Sequence, residues 1–198
     1  MSRTDIDKKF VFAFDSECEK GWARTFAVAG VVCDQRGVEV DRIAIRLPDA
    51  KVRDDIACAG EEEANYLLDD PSFTVVERNA DLLDAFGVFF RNLSAKYEHN
   101  IDFLVSTCGG LIGQYRTVLE MYDKGVIDGY GVPLAMYNIE GMLLMAKCDR
   151  VPYRYLLAHQ LPVPDGPHNV LWHSRVNAAV YRHLLDNKRG SATAPTSN

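Results

Sequence analysis

A short apolar run that ends in two acidic residues is the strongest constraint on how this chain folds. Residues Phe10 to Phe14 are all apolar, and Asp15 and Glu17 follow with a single residue between them. Bulky and β-branched residues in so short a run predict a buried central strand. Side chains two apart in a strand share a face, so both carboxylates point to one spot. Two acids there repel each other unless a positive group, typically a divalent cation with oxygen ligands, lies between them. From this pattern alone, an ordinary strand end with solvated acids is the alternative.

The segments after this strand predict an N-terminal antiparallel meander. Phe26 to Val32 is the second strand, Gln35 to Gly37 has the composition of a tight hairpin turn, and Val38 to Leu47 is the third strand. Glu39, Asp41 and Arg46 are expected to form its solvated face.

Helices and further strands then alternate along the chain. Residues 49–80 are acidic and are expected to form a solvated excursion with one short helix. Helical or strand periodicity recurs later: we expect helices over 80–97, 111–124, 139–146 and 169–185, and strands over 101–105 and 134–138. Asn79 is the expected N-cap of the first helix, and its aromatic stripe belongs to the core. This order predicts an α/β fold with a mixed β-sheet, an antiparallel N-terminal meander plus parallel strands, flanked by helices.

Length and composition fit one domain. The chain has 198 residues, and we assign residues 1–186 to the domain and 187–198, which are rich in small polar residues and proline, to a disordered tail. The formal net charge of −6 provides no overall basic surface for nucleic acid, although a local basic groove stays open.

The cysteines and the apolar runs predict where in the cell the protein is located. The five cysteines are scattered without a C-x-x-C pair, which argues against a disulfide framework or a structural zinc site and favours a reducing environment. No apolar run is long enough to span a bilayer, and the N-terminus lacks the apolar core of a signal peptide. We therefore expect a cytoplasmic protein that does not enter membranes.

Three segments in the same order resemble a known family. They are FVFAFDSE (10–17) before the meander, GVPLAMYNIEGMLLMA (131–146), and PHNVLWHSR (167–175). The last is similar to the element H-N-x-L-x-D-A-R, a loop histidine followed five residues later by an aspartate. Together they resemble the DEDDh 3′–5′ exonucleases of the ribonuclease H-like superfamily, over Phe10 to about Leu185.

The resemblance implies hydrolysis of a phosphodiester at a 3′ end by two divalent cations, Mg²⁺ or Mn²⁺. In this family four carboxylates hold the cations and the loop histidine takes a proton from the attacking water. Asp15 and Glu17 match the first pair of carboxylates, and His168 matches the general base. The resemblance also implies a binding partner, the 3′ end of single-stranded RNA or DNA.

Two positions depart from the family pattern. Thr107 stands where the middle aspartate is expected, and His173 stands in place of the aspartate of the last helix. Asp102 lies five residues before Thr107, or about 16 Å of extended chain, and is too far to substitute. Two cations carry four positive charges, and the two matching carboxylates supply only two negative charges, so the second Mg²⁺ should bind poorly.

The sequence therefore favours a pseudo-enzyme with a degenerate active site that acts as a nucleic-acid-binding or protein-assembly module. The alternative is an active nuclease with an altered site, in which His168 and His173 converge on one ion together with Asp15 and Glu17, a set better suited to Mn²⁺ or Zn²⁺.

Two further residues are candidates for contact with nucleic acid. Trp22 is a candidate to cover a terminal nucleotide, and Arg175 is a candidate to line a nucleic-acid groove, although a scatter of solvated charges is the alternative for Arg175. A protein partner or a homodimer also stays open.

Overall fold

The apolar run at the start of the chain forms the middle of a β-sheet. The computed structural model describes residues 9–18, 24–49, 66–106, 113–128 and 136–192. The strands are β1 Phe10–Cys18, β2 Thr25–Cys33, β3 Glu39–Arg46, β4 Thr74–Val75, β5 Ile101–Val105 and β6 Met136–Asn138. The helices are α1 Asn79–Lys96, α2 Gly113–Asp123, α3 Ile139–Met145, α4 Pro152–Ala158 and α5 Val170–Ala192.

The strands form one six-stranded mixed sheet in the order β4-β3-β2-β1-β5-β6. The pairs β1–β2 and β2–β3 are antiparallel, and β1–β5, β5–β6 and β3–β4 are parallel. The predicted meander and the predicted α/β class with a mixed sheet are both confirmed. The hairpin turn between β2 and β3 also forms as predicted, because Gly37 adopts the positive φ of 79° that such a turn requires.

The two faces of the sheet are covered by different helices. On one face, Phe12 and Phe14 pack against Phe86 and Phe90 of α1, with ring centroids 5.5–6.5 Å apart. Gly30 of β2 lies under these rings, and a Cβ there would lie 2.5 Å from the Phe12 ring. The predicted aromatic stripe is therefore core.

The other face, which carries Asp15, is covered by α5. The Ser174 hydroxyl donates to the Ala29 carbonyl at 3.0 Å, and the Tyr181 hydroxyl donates to Asp102 Oδ2 at 2.6 Å. Asp102 pairs with Val11 in the sheet and therefore lies at the opposite end of β1 from Asp15. The prediction that Asp102 cannot substitute in the site agrees with this position.

Several predicted details are wrong, each because of a tertiary contact. Asn79 does not cap α1: Arg78 holds the N-cap position, and the Asn79 side chain instead donates to the Thr25 carbonyl at 2.7 Å. Arg46 is buried rather than solvated, because its guanidinium donates to the carbonyls of Leu47 and Leu68 and to Asp49.

The predicted boundaries also change at two places. Helix α4 was not predicted, and α5 continues to Ala192, past the predicted end at Leu185 and into the residues assigned to the tail. Strand β4 lies within the segment expected to be a solvated excursion. Across the described ranges, none of the helices is long and apolar enough to cross a membrane.

Candidate functional site

The two carboxylates at the end of β1 occupy unlike surroundings. Asp15 is half-buried, whereas Glu17 is exposed. Asp15 Oδ1 accepts hydrogen bonds from the Ser16 backbone N–H at 2.9 Å and from Gln114 Nε2 at 2.6 Å. Burial, followed by the negative charges of Glu17 and Glu140, raises the pKa of Asp15 well above its ordinary value, although the Ser16 N–H opposes this shift. Asp15 therefore carries its negative charge at a free-energy cost.

A third carboxylate that the sequence reasoning missed belongs to Glu140. It is buried in the first turn of α3, which begins directly after β6, and it accepts a hydrogen bond from the Ser106 hydroxyl. Asn138 caps this helix by accepting from the Gly141 N–H at 2.7 Å. The signal was present, since Glu140 follows a strand parallel to β1 and the carboxyl ends of parallel strands meet at one edge of a sheet.

The predicted histidines lie together at the start of α5. Asn169 begins this helix, because its Oδ1 accepts from the backbone N–H groups of Leu171 and Trp172 at 3.0 and 3.2 Å. His168 is exposed and His173 is half-buried, with ring centroids 4.7 Å apart. Burial and the neighbouring His168 lower the pKa of His173 from 6.5 to about 4, so His173 is neutral at physiological pH.

The first turns of α5 cross the sheet at the level of Asp15. Ala29, whose carbonyl accepts from Ser174, is the residue that pairs with Asp15 in the sheet. His173, predicted to replace a carboxylate of the family pattern, precedes Ser174 and so lies in the turn that packs over this part of the sheet. Arg175 follows Ser174 in the same turn. Its Nε donates to Glu39 Oε2 at 2.9 Å, and both side chains are about three-quarters buried. Its predicted substrate role stays a prediction.

Behind the site, a buried polar network fixes the end of β1. Thr117 of α2 donates to the Ser16 hydroxyl at 2.8 Å and lies 3.0 Å from the Thr25 hydroxyl. Glu120 accepts from the N–H and the hydroxyl of Thr25 and pairs with Lys124 at 3.1 Å. This network satisfies the buried Glu120 carboxylate and ties α2 to β1.

The described residues do not assemble a cation site of the predicted kind. Among them, no group of three or more His, Cys, Asp or Glu side chains is placed to hold a metal ion. A donated amide hydrogen already occupies Asp15 Oδ1, and His173 offers a neutral nitrogen in place of an anionic oxygen. These two groups therefore fit a Mg²⁺ centre less well than two free carboxylates would. Thr107 and Trp22 lie outside the described residues.

Comparisons with known proteins identify the fold. No family model matches the chain, and no curated protein matches it. Among solved structures, the chain is similar to the nuclease domain of 3′hExo, a DEDDh family member, bound to rAMP. The TM-score is 0.59 and the sequence identity 14%, over 91% of this chain and 93% of that chain. The chain therefore shares the fold of that nuclease domain, with the mixed sheet and flanking helices that the sequence predicted.

Proposed function

We propose that this chain is an exonuclease-fold protein that binds the 3′ end of a single-stranded nucleic acid without hydrolysing it. The observation that carries this proposal is the identity and state of His173. Where the family pattern has an aspartate, a neutral imidazole with a pKa of about 4 packs against His168 and Trp172. One residue thus removes a metal-binding charge and adds an aromatic surface.

Charge supports the lack of hydrolysis. Hydrolysis by this family's route needs two cations to stabilise the attacking and leaving oxygens of the phosphodiester. At this site Asp15, Glu17 and Glu140 are the carboxylates, and His173 is neutral, so the negative charge available to hold two cations is smaller than four carboxylates provide. Groups that act as one catalytic unit lose orders of magnitude in rate when one member is removed.

An aromatic surface beside His173 supports binding. We call Tyr153, His168 and Trp172 the aromatic ledge. The His168 and Trp172 rings lie 4.6 Å apart edge to face, Tyr153 lies 6.2 Å from Trp172, and the indole N–H donates to the Pro164 carbonyl at 2.8 Å. Stacking of a nucleobase on such a ring contributes about 1–3 kcal/mol and accepts any base. The structural neighbour is bound to rAMP, a ligand with one base of the kind that this ledge suits.

The test is binding of labelled single-stranded RNA and DNA at low salt with EDTA present. We expect salt-sensitive binding that His168→Ala and Trp172→Ala each weaken by about 5- to 100-fold, in line with the loss of one stacked base. Tyr122→Ala is the matched control, because Tyr122 is an exposed aromatic residue on α2, the helix tied to Ser16 on the other face of the sheet. Absence of binding at low salt, or equal weakening by Tyr122→Ala, contradicts the proposal.

A second candidate is a nuclease that uses a different metal, favoured by the 4.7 Å separation of the His168 and His173 rings. Two imidazoles suit Zn²⁺ or Mn²⁺ better than Mg²⁺. This candidate requires cleavage that depends on Zn²⁺ or Mn²⁺ and is lost in His173→Ala. If the wild-type protein shows no such cleavage with either ion, this candidate is wrong.

A further inference from the structure

A glutamine side chain meets Asp15 where a cation would be expected. Gln114 lies in the first turn of α2 and is only 3% exposed. Its Nε2 donates to Asp15 Oδ1 at 2.6 Å. The amide must present its nitrogen here, since its oxygen would face a second acceptor and be repelled. The positive end of the amide dipole therefore points at the carboxylate.

The position of Gln114 is fixed by the helix that carries it. Thr117, one turn further along α2, bonds to Ser16, which is the residue after Asp15. Glu120, another turn along, bonds to Thr25 of β2. Successive turns of α2 are thus attached to the ends of β1 and β2, so Gln114 leaves Asp15 only by a change of its own rotamer.

We propose that Gln114 takes the place of a cation at Asp15 and keeps the site closed to divalent metal. An amide N–H supplies part of the positive charge that the buried carboxylate needs and occupies the Oδ1 lone-pair direction that a metal would use. Unlike a metal, it cannot polarise a phosphodiester oxygen or activate water. This inference rests on the proposed function and names a second residue, besides His173, that makes the site non-hydrolytic.

The test is a titration with Mn²⁺ alone, without nucleic acid, of the wild-type protein and Gln114→Glu. The substitution keeps the side-chain volume and turns the donor into a carboxylate facing Asp15. Removal of a single partner that supports a metal ligand changes metal affinity by about 10- to 100-fold, so an added carboxylate should tighten Mn²⁺ binding at least about tenfold. Calorimetry measures the affinity, and thermal unfolding should show stabilisation by Mn²⁺ in Gln114→Glu and not in the wild type.

Two control variants separate this effect from a general gain of charge. Gln114→Met removes the donor without adding a charge, so it frees Asp15 Oδ1 and should gain some Mn²⁺ binding, though less than Gln114→Glu. The double variant Asp15→Asn with Gln114→Glu lacks the facing carboxylate and should lose the gain. If Gln114→Glu binds Mn²⁺ no more tightly than the wild type, if Gln114→Met gains no Mn²⁺ binding, or if the double variant binds Mn²⁺ as well as Gln114→Glu does, the inference is wrong.

A second measurement applies if Gln114→Glu does not fold even with Mn²⁺ present. Denaturant unfolding of Asp15→Asn, Gln114→Met and their double variant gives the coupling between the two side chains. Each substitution changes the unfolding equilibrium constant by some factor. Because the 2.6 Å contact is direct, we expect the factor for the double variant to differ at least about fivefold from the product of the factors for the two single variants. Additivity overturns the inference. Failure of the wild type to bind nucleic acid would instead overturn the proposed function and leave this coupling unaffected.

Discussion

At the scale of single residues, the fold destabilises the charged form of two groups, the Asp15 carboxylate and the His173 imidazolium. For Asp15, burial is the largest cause, and the nearby carboxylates of Glu17 and Glu140 add to it. The folded-state pKa is raised, so between the ordinary value of 3.8 and the folded value the native state holds a proton that the unfolded state has lost. The stability that this proton contributes is present at low pH and is lost as the pH rises through that window.

Asp15→Asn should therefore stabilise the metal-free protein at pH 8. Asparagine keeps the acceptor for Gln114 and Ser16 and removes the charge, so we expect a Tm increase of a few degrees, in line with about 1 kcal/mol in a chain of this size. The increase should shrink as the pH approaches 4. Thermal unfolding in EDTA from pH 4 to pH 8 measures this, with the exposed Asp84→Asn as the control. A Tm that falls at pH 8 would show that the Asp15 charge is stabilising.

His173 has the opposite dependence on pH. Its folded pKa of about 4 lies below the ordinary 6.5, so the unfolded state binds a proton first on acidification, and stability falls as the pH drops from 6.5 to 4. A shift of this size corresponds to about 3 kcal/mol. In His173→Gln this part of the acid sensitivity should disappear, whereas it should persist in His159→Gln, a variant of an exposed histidine. Denaturant unfolding at about pH 4.5 and about pH 7, roughly the two ends of the window, tests this. If the stability of His173→Gln still falls between these pH values as much as that of the wild type, the prediction is wrong.

At the scale of elements, the start of α5 positions the histidines, and Asn169 holds that start. Its Oδ1 caps the helix, and its Nδ2 donates to the Tyr66 carbonyl at 2.9 Å and to Asp70 at 3.0 Å. Burial alone would raise the pKa of Asp70, but hydrogen bonds from the Ser72 N–H and from the Asn169 amide lower it. One side chain thus joins the helix end to the segment before α1.

Asn169→Ala should cost about 2 kcal/mol, because it removes the cap and leaves the buried Asp70 short of a donor. Asn169→Ser keeps a capping oxygen and loses only the donors, so its cost should be about half as large. Chemical denaturation measures both. Equal costs would show that the cap contributes nothing and that the contacts with Asp70 and Tyr66 account for the whole effect.

The elements that carry the site were predictable, and the contacts that complete it were not. Phe10 to Phe14 specifies β1 because only a strand buried on both faces accepts so short an apolar run, and Asp15 and Glu17 follow from it. Gln114 could not be found in this way. It is 99 positions from Asp15, and the two side chains meet only because α2 packs against β1. Arg46 and Asn79 were misassigned for the same reason, since their partners lie in distant segments.

At the scale of the whole molecule, four segments meet around one end of the sheet. The end of β1 brings Asp15, the starts of α2 and α3 bring Gln114 and Glu140, and the start of α5 packs through Ser174 on Ala29, the strand partner of Asp15. The fold is shared over 91% of the chain with a solved nuclease domain. Here the Asp15 carboxylate accepts from the Gln114 amide, and the His173 imidazole is neutral at physiological pH.

The most direct test of the central claim is the fate of a labelled single-stranded oligonucleotide incubated with the wild-type protein and Mg²⁺ or Mn²⁺. Products resolved on a denaturing gel report cleavage, and Asp15→Asn serves as the control for contaminating nucleases. We predict that the oligonucleotide stays at full length with both ions under conditions in which the protein binds it. A ladder of products shortened from the 3′ end, present with the wild type and absent with Asp15→Asn, would contradict the claim.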